Sequence, residues 1–406
     1  MNTSNRKAIL ILSFTLVVVM LGFGMVIPIF PFYIEELGAG GSELGLLVAT
    51  SAFLEFVFAP VWGSVSDRTG RKPVLMLGML GYGLSSLLFG LSTQLWMLFA
   101  SRMLSGILSS ATLATAMAYI GDSTSEEDRG GGMGILGAAM ALGVIAGPGF
   151  GGWLAGDSLA TPFFIAAGMS LVSLLLILLL LPESLPANRR VSESAAPRAV
   201  KTVQVRELWQ ALFSPIGVLL FMVFLFSFAL TNFEAVFGLY ALEKFGYGPE
   251  RVGAILMVVA IVSTVGKAAL TGPATKRWGE ATVIKGSALA GSVGFVVLLL
   301  ADTYVTILLA TGFFILSKTL LRPAAFSLIS KRATGGQGVA MGLSNSFMSL
   351  GRIVGPICAG LLFDVNFNYP YLSGSAIMFI GFLISLVWVS QGIKETASAG
   401  LQPAAD

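Results

Sequence analysis

Residues 63–72 read GSVSDRTGRK and stand between two apolar runs, each long enough to cross a bilayer. Asp67, Arg68, Arg71 and Lys72 crowd this turn, and Gly63 and Gly70 bracket its first part. A helix-breaking glycine among so many charges marks a chain reversal at a water interface. The fold follows from asking what kind of chain would need such a turn.

The 406 residues are 55% hydrophobic and 11% charged, with a mean hydropathy of +0.87. Soluble domains carry about 25% charged residues. Apolar runs of about 20 residues recur along the chain, the length that spans a roughly 30 Å hydrocarbon core as helix. They do not show the alternation of a membrane β-barrel. The first run, 8–30, is longer than a signal-peptide core and has no small-residue cleavage site, so it is expected to stay as the first span with no separate targeting segment. A single cysteine, Cys358, excludes an internal disulfide. With no histidine, a Ser-His-Asp triad and a zinc protease motif are also excluded. No phosphate-binding loop is present, so neither ATP nor a metal or other cofactor is expected, and proton chemistry would run through carboxylates.

Charge-poor runs give twelve spans, near 8–32, 44–65, 73–92, 95–119, 131–154, 162–182, 213–239, 250–272, 282–301, 304–326, 338–362 and 371–391. An even number puts both termini on one side. Arg6, Lys7, Arg68, Arg71, Lys72, Arg129, Lys276, Arg277, Lys285, Lys331, Arg332 and Lys394 fall on that side, as do the bases of the polar stretch between spans six and seven; only Lys244 and Arg251 fall opposite. By the positive-inside rule the termini and the 63–72 turn are cytoplasmic. The polar stretch, rich in Ser, Pro, Ala and basic residues, reads as a cytoplasmic linker over 183–212. A possible interfacial helix over 203–212 ends it, and it divides a six-helix bundle over 1–182 from a second over 213–406 that ends in a short cytoplasmic tail.

The two halves resemble each other. Gly143 to Gly152 reads GVIAGPGFGG and Gly351 to Gly360 reads GRIVGPICAG, each in the fifth span of its half. The charged turn has a counterpart at Gly272 to Val283, GPATKRWGEATV, in which Asp67 has become Lys276 and Arg71 has become Glu280. Duplicated helical halves suit a transporter, in which two similar bundles rock about a site near the midplane.

On these residues the chain resembles the major facilitator superfamily, and within it the twelve-span drug:proton antiporters that export tetracyclines and multiple drugs. GSVSDRTGRK is similar to the family's signature between spans two and three, GVIAGPGFGG to its antiporter-type signature in span five, and RMLSGILSSA from Arg102 to its span-four signature; GFGMVIPIFPFYIEELG at the end of span one is similar too. The resemblance implies an all-α integral membrane fold of two pseudo-symmetric bundles. It implies proton-coupled export of small amphipathic compounds by alternating access in the inner or plasma membrane, powered by the proton gradient. The expected partners are a small-molecule substrate, protons and the lipid bilayer, with no nucleic acid, and a monomer is expected. It also implies that Gly63, Asp67, Arg68, Gly70 and Arg71 form a conformational latch. Asp67 could meet Arg68 or Arg71, or the positive end of the helix that starts near Gly338. In span five, Gly143, Gly147, Gly151 and Gly152 place small residues on a helix that Pro148 bends.

Ionisable residues inside the spans are the most informative, since each costs about 2.5–3.5 kcal/mol at a helix centre. These are Glu55, Arg102, Glu234, Lys267, Lys318, Arg322 and Arg352. Family architecture places the first and fourth spans of each half on the central cavity, so Arg102, Glu234, Lys318 and Arg322 are expected to face it. Glu234, beside Asn232, leads the proton-coupling candidates; Glu55 follows, paired with Arg102 as a bridge or relay. Lys267 can snorkel to the cytoplasmic surface. Phe30, Tyr33, Tyr119, Phe233 and Phe237 are candidate walls of a greasy pocket. The acidic run GDSTSEED at Gly121 to Asp128 reads as a solvated turn that caps span five. The excess of Lys318, Arg322 and Arg352 over Glu234 keeps two other transport readings open, a carrier for a sugar or organic acid and a lipid flippase, while a non-transporting receptor or scaffold fits the duplicated halves poorly.

Overall fold

The computed structural model describes residues 3–156, 158–186, 205–333 and 336–389. Most of the expected linker and the tail from 390, with Arg189, Arg190, Arg198, Lys201 and Lys394, lie outside them.

Among the described residues all regular structure is helical. The chain runs through α1 (Thr3–Glu36), α2 (Gly41–Thr69) and α3 (Arg71–Gly90), then α4 (Leu95–Leu104) and α5 (Ser110–Ser123), which a π-helical turn over Ser105–Ser109 joins into one span. α6 (Glu126–Leu154) and α7 (Thr161–Leu180) follow, then the short α8 (Val205–Leu212), which falls where an interfacial helix is expected. α9 (Gly217–Phe245), α10 (Pro249–Leu299), α11 (Tyr304–Thr319) with α12 (Leu321–Arg332), α13 (Gln337–Val365) and α14 (Tyr369–Ile384) complete it.

Eleven helices among the described residues are long and apolar enough to cross a membrane. One of them, α10, has 51 residues, about 76 Å of helix at 1.5 Å per residue, more than twice the hydrocarbon thickness. Its backbone breaks at Gly279, where φ is 75° and ψ 154°. α10 is therefore two crossings joined by a tight reversal, and among the described residues the crossings number twelve, in line with the charge-poor runs. Gly70, between α2 and α3, has nearly the same conformation, φ 108° and ψ 164°, a region that only glycine adopts without strain. The two aligned turns thus reverse the chain in the same way.

The structure has two compact units, Met1–Thr202 with Ala235–Ala260, and Val203–Glu234 with Ile261–Asp406. In the first, α1 lies along α6. A Cβ on Gly147 would stand 2.6 Å from the Leu21 carbonyl oxygen and 2.7 Å from Gly24 Cα, and one on Gly151 2.6 Å from Met25 Cα. Gly143 meets Val17 and Met20 in the same way, so a row of glycines at four-residue spacing lets two backbones touch. Gly152 faces Pro249 and Gly253 on α10. In the second unit α9 and α13 repeat the contact, with Gly351 against Phe224 and Ser227 and Gly355 against Phe228 and Thr231. Lipid is as apolar as leucine, so association of these helices rests on close contact and hydrogen bonds; Ser227 donates to the Met348 carbonyl at 2.8 Å, and Thr231 Oγ1 lies 3.1 Å from the Gly351 carbonyl and 3.0 Å from that of Ser227 on its own helix.

Gly147→Leu is expected to lower the stability of the purified protein by about 1–3 kcal/mol through overpacking. Gly63→Ala, whose Cβ would meet nothing within 4 Å, is expected to change it by less than about 1 kcal/mol. Thermal unfolding in one detergent compares them, and equal melting of the two variants would refute the close approach of α1 and α6.

Candidate functional site

Two clusters of charge stand out, one at the reversal between α2 and α3 and one inside the second unit. At the reversal, Arg71 is 7% exposed and bound on every side. Its Nη1 lies 2.6 Å from Asp67 Oδ1 and 2.6 Å from Ser66 Oγ, and its Nε donates to Asp122 Oδ2 at 2.8 Å. Glu183, just beyond α7, accepts the backbone N–H groups of Arg71 and Lys72 at 2.9 and 3.2 Å. Those are orphan donors of the first turn of α3, and a carboxylate at a helix N-terminus also meets the positive end of its dipole. Of the residues expected to form a latch, Asp67, Gly70 and Arg71 thus meet in one cluster. Arg68 is half-buried at the end of α2, and a Cβ on Gly63 would meet open space.

Asp122 belongs to this cluster, not to a wholly solvated turn; the capping part of that expectation is met by Ser125, which accepts from Asp128 N at 3.3 Å. The second unit carries the same arrangement with its signs exchanged. Glu280, following Gly279, is ion-paired with Lys331 and accepts from Ser327 Oγ at 3.0 Å. Gly70 and Gly279, Arg71 and Glu280, and Asp122 and Lys331 each stand 209 residues apart. That common offset is the sequence signal that could have found Asp122.

Within the second unit, Glu234 on α9 is half-buried, and the charges that act on it are those of Lys318, Arg352 and Lys267. Lys318 Nζ lies 5.0 Å from the ring centre of Phe314 and 5.8 Å from that of Phe233. It is buried and has no hydrogen-bond partner among the described residues. Phe233 packs at 5.1 Å against the tilted ring of Phe314 and meets Tyr371 edge-on at 6.3 Å. Asn232, beside Glu234, turns its Nδ2 to Ser373 Oγ on α14 at 3.1 Å. Because Ser373 gives its own proton to the Pro370 carbonyl at 2.8 Å, Asn232 must be the donor, and its Oδ1 stays buried without a partner. Arg322 and Lys267 are exposed; Arg322 lies 5.3 Å from the Phe326 ring and within the field of Arg352.

The first unit holds the remaining candidates. Arg102 does not pair with Glu55, which is half-buried on α2; its guanidinium lies 4.4 Å from the Phe30 ring and 5.0 Å from the Phe89 ring. Phe30 stacks on Phe89 at 5.0 Å, Phe89 on Phe163 at 4.1 Å, and Tyr33 meets Phe89 edge-on at 5.2 Å while donating to the Ser92 carbonyl at 3.3 Å. Tyr119 is wholly buried and donates to the Pro182 carbonyl at 2.8 Å, tying the end of α5 to the chain leaving α7. Phe237 is buried as well. Sequence reasoning did not find Trp62, whose indole N–H donates to the Ile107 carbonyl at 2.5 Å inside the π turn that follows Arg102. A π turn displaces carbonyls from their usual partners, and such turns recur at functional positions.

A model of the Major Facilitator Superfamily matches residues 12–333 and 219–404. The chain is 33% identical over 394 residues to Multidrug resistance protein 2 of Bacillus subtilis (strain 168), covering 97% of this chain and 98% of that one. It is 27% identical over 382 residues to the quinolone resistance protein NorA of Staphylococcus aureus (strain COL), covering 94% and 96%. A crystal structure of the nucleoside transporter NupG superposes with a TM-score of 0.76 at 14% identity, over 95% of this chain and 99% of that one.

The Arg71 cluster predicts an ordering of stabilities. Asp122→Asn, which removes a charge from a buried guanidinium, is expected to cost about 1–3 kcal/mol. Asp67 is 49% exposed, and Asp67→Asn is expected to cost less than about 1 kcal/mol. Thermal unfolding of the two variants checks this, and the reverse order would show that Asp67 is the principal partner.

Proposed function

The chain belongs to the Major Facilitator Superfamily, and from that membership and its buried charges we propose that it exports small amphipathic compounds, drugs among them, in exchange for protons. It is a multi-pass membrane protein. The drug assignment is supported by identity over nearly the whole length to a multidrug resistance protein. Proton coupling is supported by Glu234, a carboxylate inside a membrane-length helix with Lys318, Arg352 and Lys267 around it. A buried carboxyl group that gains and loses a proton changes the charge of its cavity, and this is how a gradient can drive a carrier that has no ATP site.

In this reading the carrier works alone in the cell membrane with both termini cytoplasmic, and the proton gradient is its only energy source. The halves 1–182 and 213–406 alternate access to a cavity to which Glu234 belongs. Substrate with a cationic group binds beside ionised Glu234 from the inside; a proton taken up outside neutralises Glu234 and releases it, and the empty carrier returns with the proton. Asp67 and Arg71 hold the cytoplasmic side during the outward-facing part of the cycle. The excess of cations about Glu234 favours, as a second reading, a carrier of organic acids on the same fold.

Glu234→Gln is expected to abolish substrate-driven proton movement in proteoliposomes, followed with a pH-sensitive dye inside the vesicles; unchanged exchange would remove Glu234 from the coupling. Asp67→Asn is expected to slow transport and leave equilibrium substrate binding largely intact, and loss of binding in a normally folded variant would count against the latch.

A further inference from the structure

The charges around Glu234 constrain what the substrate can be. Lys318 stands one residue before the end of α11 at Thr319, with its ammonium beside the Phe314 and Phe233 rings. Aromatic faces attract the cation but do not replace acceptors for its three N–H bonds, and Nζ is buried with no hydrogen-bond partner among the described residues. Donors left unanswered in such a place are costly until an acceptor arrives. Glu234 is the one carboxylate that acts on Lys318 among the described residues, and it also lies in the field of Arg352 and Lys267. Three bases thus act on one acid.

Linkage then decides between substrate charges. For antiport through Glu234 the substrate must compete with the proton, so it needs a positive group near that carboxylate. A substrate that is only cationic meets Lys318 as a repulsive neighbour. A substrate that is only anionic would suit Lys318 but would strengthen proton binding at Glu234, and by reciprocity the two would bind together and travel together, which is symport. A substrate carrying both charges satisfies both conditions. The walls for its apolar part are at hand in Phe233, Phe314 and Tyr371, with the tilted ring of Phe295 4.3 Å from Phe314.

We propose that Lys318 is the specificity-determining anchor for an acidic group on the substrate, whose amine faces Glu234, so that the exported class is amphipathic zwitterions. The inference rests on the antiport reading above and sharpens it. The ammonium receives the acceptor it lacks, Glu234 receives a counter-charge that a proton can displace, and the aromatic rings take the body of the molecule.

The test uses the full chain in proteoliposomes and three probes on one fluorescent aromatic scaffold, an amine with a carboxylate, its methyl ester, and the carboxylate without the amine. The zwitterion is expected to bind about tenfold or more tighter than the ester and to drive proton movement in the antiport direction. Lys318→Met is expected to erase most of that preference, whereas Lys318→Arg should keep it. Because the readout is the ratio between probes on one preparation, partial loss of folded protein does not imitate the result. If the ester binds as well as the zwitterion and still drives proton antiport, the anchor is overturned and the antiport reading stands. The same holds if Lys318→Met leaves the ratio unchanged. Failure of every probe to move protons would overturn the antiport reading and the inference with it.

Discussion

Hydrocarbon cannot solvate charge, and this chain is arranged around the few charges it nevertheless puts there. Each must be answered by something the helices bring to it, and the answers differ. Arg102 is covered by the faces of Phe30 and Phe89. Arg71 is surrounded by three hydrogen-bonding side chains at the water boundary. Lys318 has aromatic rings and the field of one carboxylate. Arg102 Nε and Lys318 Nζ are each buried with no hydrogen-bond partner among the described residues, and an unanswered donor in a buried site marks where a ligand contributes most.

Holding such charges in place requires helices that pack without hydrophobic drive. The glycine rows of α6 and α13 provide this. Each brings a backbone against the first helix of its half, at Leu21 and Gly24 in one case and at Phe224 and Phe228 in the other. A contact made of backbone tolerates no side chain at its centre, but it leaves the remaining faces of both helices free to vary. Duplication could therefore keep the frame while the polar residues diverged, and Glu234, Lys318 and Arg352 all stand in the second copy alone.

This explains which parts of the chain were legible before its structure. Spans were legible because length and hydropathy are local quantities, and the double length of α10 is resolved by a glycine that the repeat already aligned with Gly70. The glycine row was legible because four-residue spacing defines a helix face. Partners were not. Nothing in the local sequence tells that Tyr119 bonds to Pro182, that Phe30 and Tyr33 belong to a stack with Phe89 and Phe163, or that Arg102 meets rings in place of Glu55, because those contacts join helices far apart along the chain and depend on their rotation. The exception is Asp122, which the offset to Lys331 would have exposed had the repeat been followed beyond the loop.

The exchange of signs between the two reversals has its own physical logic. Arg71 and Glu280 occupy the same place, directly after a positive-φ glycine and at the start of a helix. That end of a helix carries the positive pole of its dipole. Glu280 suits it, and one cation, Lys331, with a serine hydroxyl completes its shell. Arg71 is the wrong sign, and the first unit compensates with Asp67, Asp122 and, on the helix N–H groups themselves, Glu183. The position 209 residues beyond Glu183 is Gly392, which has no carboxylate to offer. An arginine at a helix N-terminus holds three acids together, whereas a glutamate there needs only one base, so the first reversal is the one whose charges bind three separate stretches of chain.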